Sequence, residues 1–208
     1  MDSLLHAFTV LFIVVDPIGV AWLFAAMTHY KDHATQRHMA LRGVVLAGVI
    51  LVGFYFVGDG LLKWMGISLP AFKIAGGSLL FMLSIDMVFA RHSGLRSTTA
   101  QEQHEAEHKQ DISVFPLAFP LIAGPGALTT VLLMTSADSP GVSSWGLLLI
   151  LLAVLVTTFL CLLLATYIVR ALGETGANVV SRILGVILAA LAVQYVIDGI
   201  RQSFFAGS

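Results

Sequence analysis

The chain has 208 residues, of which 58% are hydrophobic and only 11% are charged, and its formal net charge is −1. Soluble domains carry about 25% charged residues, so this composition is typical of an integral membrane protein. The near-neutral charge excludes a basic nucleic-acid-binding protein, and we expect no nucleic acid among its partners. A single cysteine, Cys161, excludes an internal disulfide and a C-x-x-C redox pair, and we expect no cofactor.

Apolar segments long enough to cross a lipid bilayer follow one another along the chain. A hydrocarbon core about 30 Å thick requires about 20 mainly apolar helical residues. Six segments meet this requirement and are predicted to be transmembrane helices: 3–28, 43–62, 70–90, 112–136, 146–169 and 182–200. The polar residues 91–111 then separate a first repeat, 1–90, from a second repeat, 112–208.

The basic residues predict the orientation of these segments. Eight Lys and Arg residues lie in the connections 29–42, 91–111 and 170–182, whereas three lie on the other side. Cytoplasmic connections carry an excess of Lys and Arg. We therefore predict that these connections, including the polar loop 91–111, are cytoplasmic and that both termini lie outside.

The first and fourth segments are each interrupted by Pro and Gly. The first contains DPIG at 16–19, and the fourth contains AGPG at 123–126. KIAG at 73–76 in the third segment is similar to RILG at 182–185 in the sixth. Two copies of three helices enter a membrane from opposite sides. We therefore predict an all-α membrane protein with six transmembrane helices, arranged as an inverted 3+3 repeat with a broken first helix in each repeat.

The two interruptions are candidate parts of a binding site. Proline lacks an N–H group and disfavours helical backbone before it, so both helices should unwind locally. Irregular backbone survives in a membrane only inside protein or beside a water-filled cavity. Each break leaves free N–H groups with a partial positive charge on one half-helix and free carbonyls on the other. A small zwitterion would place its carboxylate on the N–H groups and its ammonium on the carbonyls.

Four polar side chains near these breaks have both a functional and a structural interpretation. Asp16 lies near mid-membrane, where it either accepts a substrate ammonium or carries a proton, or caps the half-helix that follows Pro17. Thr129 and Thr130 either offer hydroxyls to a ligand or bond to the carbonyl four residues earlier. Gln194 in the sixth span donates either across helices or to a ligand.

Glycines in the apolar segments are predicted to let helices approach closely. We assign this packing role to Gly76, Gly77 and Gly185. A further series suits either packing within the chain or contacts in a homo-oligomer: Gly43, Gly48 and Gly53.

Residues 104–108 read HEAEH, a literal H-E-x-x-H of the kind found in zinc peptidases. Catalytic zinc also requires a third ligand and an open coordination position. The motif stands in the polar stretch rather than on a span, and no histidine follows Asp111. We therefore interpret it as part of a solvated loop and expect neither a metal site nor enzymatic activity. A membrane metallopeptidase is the less favoured alternative.

Four segments resemble the MarC family of bacterial and archaeal integral membrane proteins: VVDPIG, GISLPAFKIAGGSLLF, FPLAFPLIAGPGALTT and RILGVILAALAVQYVIDGI. The resemblance covers essentially the whole chain, and the third of these motifs is the most specific. A related branch, SnatA, transports small neutral amino acids such as glycine and alanine. The resemblance therefore implies six helices in an inverted repeat, a substrate site at the two broken helices, and a place in the bacterial inner membrane with periplasmic termini.

The function implied is secondary transport of small neutral amino acids or similar small polar solutes by alternating access, coupled to a proton or sodium gradient or uncoupled. An exporter of metabolites or drugs with the same site is the alternative. Many relatives follow D-P-x-G with Asn and, two residues later, Pro, whereas this chain has Val20 and Trp22, which re-tune the pocket. The predicted substrate-binding residues are Asp16, Pro17, Ile18, Gly19, Ala123, Gly124, Pro125, Gly126 and Thr129 from the motifs, with Thr130 and Gln194 added from their side chains.

Overall fold

A computed structural model of the protein describes residues 2–89, 111–135 and 143–205. All regular structure within these ranges is helical, as predicted. The HEAEH segment lies outside the described residues, together with most of the polar loop that contains it. The helices are α1 (Asp2–Val15), α2 (Pro17–Thr28), α3 (His33–Trp64), α4 (Leu69–Phe89), α5 (Ser113–Ile122), α6 (Pro125–Thr135), α7 (Ser144–Leu163) and α8 (Ala165–Phe205).

The described helices provide five or six membrane spans by length and composition. Single spans are Ser3–Thr28, His33–Trp64, Leu69–Phe89, Trp145–Leu163 and Thr175–Phe204. Helices α5 and α6 form a sixth if the pair is counted as one span, and they are bent by 53° at the break between them. The prediction of an all-α membrane protein is therefore confirmed, and each predicted break separates two helices.

Two helices extend well beyond the predicted segments. Helix α3 begins at His33 rather than at residue 43, because Asp32 accepts a hydrogen bond of 3.0 Å from the Thr35 backbone and caps the helix. Helix α8 covers Ala165–Phe205 and is kinked at Gly173, where a φ of 64° and a ψ of 179° are non-helical, so the helix after the kink begins well before the predicted residue 182. The predicted segments were too short because they were bounded by hydropathy, whereas both helices also include flanking polar residues.

Helices α4 and α8 pack closely along their length and run antiparallel. A Cβ atom on Gly199 would lie 2.8 Å from the Pro70 carbonyl oxygen, at the start of α4. One on Gly77 would lie 2.8 Å from the Ala192 carbonyl oxygen, and one on Gly185 would lie 2.8 Å from the Met87 Cβ, near the end of α4. Because only glycine lacks that atom, these positions allow the two backbones to approach.

Helix α3 runs parallel to the bent pair α5–α6. A Cβ on Gly43 would lie 2.5 Å from Leu117 of α5, and one on Gly58 would lie 2.6 Å from Leu132 of α6. Gly48 lies against Leu155 of α7, whereas no atom lies within 4 Å of a Cβ built on Gly53. Two of the three glycines in this series are therefore occupied by packing within the chain.

The first span is the most buried of the five single spans. Of its most apolar stretch, 61% is buried, against 22 to 39% for the other four single spans. Helices α1 and α2 pack against α6, α7 and α8. The break between α1 and α2 is consequently enclosed by protein, which satisfies the requirement for irregular backbone at membrane depth.

Candidate functional site

The first break is a single left-handed residue inside a span that otherwise continues. Asp16 has a φ of 48° and a ψ of 68°, the only positive φ among the described non-glycine residues. The Asp16 backbone N–H still donates to the Phe12 carbonyl at 2.8 Å, and the Val20 N–H donates to the Asp16 carbonyl at 3.0 Å. Non-glycine residues held in this conformation are costly and cluster at functional sites.

The Asp16 carboxylate is turned back over the start of α2. One carboxylate oxygen, Oδ1, accepts a hydrogen bond of 3.1 Å from the Gly19 backbone N–H, so Asp16 does cap the half-helix. The side chain is only 2% exposed. A Cβ on Gly19 would lie 2.2 Å from Oδ2 of Asp16, so only glycine leaves room for this arrangement.

The second break is wider and involves a bend. Phe115 and Phe119 have extended backbone before Pro116 and Pro120, as the residue before a proline prefers. The chain then turns sharply, because a Cβ on Gly124 would lie 2.3 Å from the Pro120 carbonyl oxygen. Position 124 therefore requires glycine, because any side chain there would collide with the backbone of Pro120.

The two breaks meet inside the bundle. A Cβ on Gly126, in the first turn of α6, would lie 3.3 Å from Val14, which is two residues before Asp16. A cavity lies beside this contact, with about 320 Å³ of empty space that includes a part open to the surroundings. It is lined by Val14, Leu79, Leu83, Pro120, Leu121, Ile122, Gly124, Pro125, Gly126 and Ala127. Its walls are apolar side chains, and its polar groups are the backbone of the second break.

The N-termini of the two half-helices differ in charge. Helix α2 carries its own carboxylate, Asp16, over its first turn. The first backbone hydrogen bond of α6 is donated by the Leu128 N–H to the Gly124 carbonyl, at 3.0 Å. The N–H groups of Gly126 and Ala127 come before it, so the helix itself offers them no carbonyl acceptor. Helix α6 has no acidic residue in its first turn.

Two threonines stand just beyond the second break. Thr129 is 5% exposed, and its methyl group packs into the space above Gly76, where a Cβ would lie 2.1 Å from the Thr129 Cγ2. Thr130 is fully buried, and its hydroxyl has no hydrogen-bond partner among the described residues. Most buried hydroxyls have such a partner, so Thr130 is an exception that calls for a functional or solvent explanation.

These breaks coincide with the motifs that carry the family resemblance. A family model described as "MarC family integral membrane protein" matches residues 1–204. The chain belongs to the MarC family. No solved structure matches it.

Relatives of this MarC protein occur in bacteria and in archaea. It is 36% identical over 197 residues to a UPF0056 membrane protein of Aquifex aeolicus, covering 94% of this chain and 91% of the relative. It is 32% identical over 194 residues to the UPF0056 membrane protein YhcE of Escherichia coli, covering 93% and 90%. It is 33% identical over 202 residues to the UPF0056 membrane protein YvbG of Bacillus subtilis, covering 97% and 95%.

Most of the predicted site residues of this MarC protein lie at the two breaks, but Gln194 does not lie with them. Pro17 begins α2 and Ile18 follows it, while Ala123 and Pro125 flank Gly124 at the start of α6. Gln194 is exposed on α8 and donates a 2.9 Å hydrogen bond to Asp198, one turn further along the same helix. Its amide is therefore engaged at the periphery of the bundle.

Sequence reasoning missed Ser181, which lies beside the first break. The Ser181 hydroxyl oxygen lies 3.4 Å from Oδ2 of Asp16, although 165 positions separate the two residues. Ser181 directly precedes the RILG stretch that is similar to KIAG in the third segment. That similarity was the available signal, but only the packing of α8 on α2 shows that Ser181 reaches the carboxylate.

A polar cluster joins α3 to the start of α5. Asp111 accepts hydrogen bonds from the Ser113 backbone N–H, at 2.9 Å, and from the Ser113 hydroxyl, and it forms an ion pair with Arg42. Burial raises the pKa of the Asp111 carboxyl, but the Ser113 hydrogen bonds and the charges of Arg42 and His38 outweigh burial and lower the pKa below 3.8. The cluster fixes α5, the first half of the broken pair, to α3.

Proposed function

We propose that this MarC protein is a secondary transporter of small neutral amino acids or similar small polar solutes, working by alternating access around the two breaks. The observation that carries the proposal is the meeting of the two interrupted spans at Val14 and Gly126, inside the bundle and beside a cavity. Broken helices in corresponding positions of two halves are a recurring feature of secondary transporters.

The different charges of the two half-helices favour a zwitterionic solute. Asp16 already neutralises the start of α2, and its carboxylate provides an acceptor for an ammonium group. The N–H groups of Gly126 and Ala127 offer donors to a carboxylate, and the partial positive charge of a helix N-terminus adds to their attraction. Thr130, the one buried hydroxyl without a partner in the described residues, begins the next turn of α6.

The lining of the cavity favours a solute whose side chain is small and uncharged. Val14, Leu79 and Leu83 form an apolar wall opposite the backbone of the second break. A solute with a short neutral side chain fits this wall, whereas a charged side chain would lose its hydration there.

The packing of the third helix of each half is the arrangement expected of an inverted repeat. Helices α4 and α8 run antiparallel in direct contact, and α4 ends the first half as α8 ends the second. Rocking of one half against the other around the breaks would expose the cavity first to one side and then to the other.

Uptake by the purified protein in proteoliposomes tests the function. Labelled glycine and alanine are offered with no gradient, with a proton gradient and with a sodium gradient. We expect saturable uptake, and stimulation by one gradient identifies the coupling ion. Vesicles with folded wild-type protein that show no saturable uptake of either amino acid would refute the proposal for this substrate class.

Two glycine variants test whether the breaks form the site. We expect Gly124→Ala to abolish uptake, because its Cβ would lie 2.3 Å from a backbone oxygen that must shift. Gly60→Ala is the matched control, since no described atom outside its own stretch of helix lies within 4 Å of a Cβ built there. Equal uptake by the two variants, at equal amounts of folded protein, would remove the second break from the site.

A further inference from the structure

The carboxylate of Asp16 contacts two different helices. Its Oδ1 accepts from the Gly19 N–H of α2 at 3.1 Å, which is an ordinary hydrogen bond. Its Oδ2 lies 3.4 Å from the hydroxyl oxygen of Ser181 on α8. That distance is long for an O–H···O bond, which normally measures about 2.5–3.0 Å. One carboxylate oxygen is therefore firmly held, while the other makes a weak contact in a buried place.

The weak contact lies on one side of the membrane midplane. Asp16 stands in the middle of Ser3–Thr28, and α2 leads from it towards one membrane surface. Ser181 is six residues after the start of the span Thr175–Phe204, about 9 Å along the helix axis. Contact between the two side chains links the start of α2 to this part of α8.

We propose that Ser181 is a positioning residue for Asp16, and that its hydroxyl holds the place on Oδ2 that the ammonium group of a solute takes when it binds. This exchange releases α8 from α2. This inference rests on the proposed function in one respect, namely that the solute carries an ammonium group.

The exchange is favoured by the strengths of the two interactions. A hydrogen bond between an ammonium and a carboxylate is shorter and about twice as strong as one between neutral groups. The Ser181 hydroxyl at 3.4 Å therefore competes weakly, but it does compete for the same oxygen. Removing it should make solute binding tighter, whereas loss of a residue that merely supports the fold would make binding weaker or leave it unchanged.

Binding of glycine and alanine to the purified protein, measured by calorimetry, tests this competition. We expect Ser181→Ala to lower the Kd about twofold, the lower end of the range that corresponds to one hydrogen bond. Ser181→Thr keeps the hydroxyl and should return the Kd towards the wild-type value. Ser78→Ala is the matched control, because the Ser78 hydroxyl donates, within the part of the chain that the structure describes, to the Ile74 carbonyl of its own helix at 2.9 Å. A Kd for Ser181→Ala equal to or above that of wild type would overturn the proposal.

A second readout separates failure of this inference from failure of the proposed function. Cys161, the single cysteine, is half-buried on α7, which packs against both α1 and α2. If wild-type protein binds neither amino acid, the transport proposal fails. The rate at which N-ethylmaleimide labels Cys161 in the absence of solute then tests whether the Asp16–Ser181 contact holds α2 and α8 together. Faster labelling in Ser181→Ala than in Ser78→Ala supports the contact, and equal rates overturn it. Ser181→Gly replaces Ser181→Ala if the latter does not fold.

Discussion

The methyl group of Thr129 on α6 fills the space that a side chain at Gly76 on α4 would need. The separation from a Cβ built on Gly76 to Cγ2 of Thr129 is only 2.1 Å. Rotation of Thr129 about its first side-chain bond is therefore limited by α4. The close packing of these two helices thus orients a hydroxyl just beyond the second break.

We expect Gly76→Ala to destabilise the protein by about 1–3 kcal/mol, the usual cost of overpacking a close contact. The added Thr129→Ser substitution removes the clashing methyl but keeps the hydroxyl, and it should restore most of the lost stability. Apparent melting temperatures in detergent measure both effects, with Gly53→Ala as a control in open space. Independent, additive effects of the two substitutions would contradict the contact.

Asp16→Asn and Gly19→Ala separate the charge of Asp16 from its capping role. Asn also caps helices and tolerates the left-handed conformation, so Asp16→Asn should stay folded and lose uptake. In Gly19→Ala, loss of the cap lowers the free energy of unfolding by about 0.5–2 kcal/mol, whereas the higher helix propensity of Ala raises it by about 1 kcal/mol. Stability should therefore change little while uptake falls, because the new Cβ displaces the carboxylate. Normal uptake by Asp16→Asn would show that the charge is not needed.

Thr130→Val removes a buried hydroxyl that has no partner in the described structure. An unsatisfied buried polar group costs about 1–3 kcal/mol, so the isosteric valine should raise the free energy of unfolding by about 1 kcal/mol. If the hydroxyl binds solute, uptake should fall at the same time. Thr158→Val is the matched control, since the equally buried Thr158 hydroxyl donates to the Val154 carbonyl at 2.8 Å. Equal destabilisation by both variants would show that the Thr130 hydroxyl is partnered.

The cluster around Asp111 should make stability depend on pH in the acidic range. Because the pKa of the folded-state carboxyl lies below its usual 3.8, the stabilisation is present above pH 3.8 and is lost as pH falls through the lowered value. Asp111→Asn should therefore lower the melting temperature at pH 7, and the difference from wild type should shrink towards pH 3. Side-chain exposures of 52% for Arg42 and 37% for Asp111 limit the ion pair to less than about 1 kcal/mol. Asp59→Asn, in the exposed pair with Lys63, provides the comparison.

The breaks were predictable from sequence because their causes are local. Proline and glycine act on their own backbone, so Pro17 and Gly124 mark interruptions wherever the helix is placed. The capping of α2 by Asp16 is equally local, since its acceptor and donor are three residues apart.

The roles of Ser181 and Gln194 could not be predicted from sequence, because they depend on how distant helices pack together. Ser181 reaches Asp16 only because α8 packs on α2, and no pattern near residue 181 encodes that partner. Gln194 was predicted to be a possible ligand, but the sixth span is apolar on most sides, so its sequence does not specify an inner face. The structure places the amide outside, bonded to Asp198.

Both half-helices, α2 and α6, begin inside the bundle, and this affects how easily ions could cross the protein. The N-terminal ends of α2 and α6 bring two partial positive charges into the middle of the membrane, and Asp16 offsets them at one end only. A bare cation crossing there would meet repulsion in addition to the loss of its hydration shell. If the breaks bind a zwitterion as proposed, the same partial charges would oppose the leakage of unaccompanied cations through the protein.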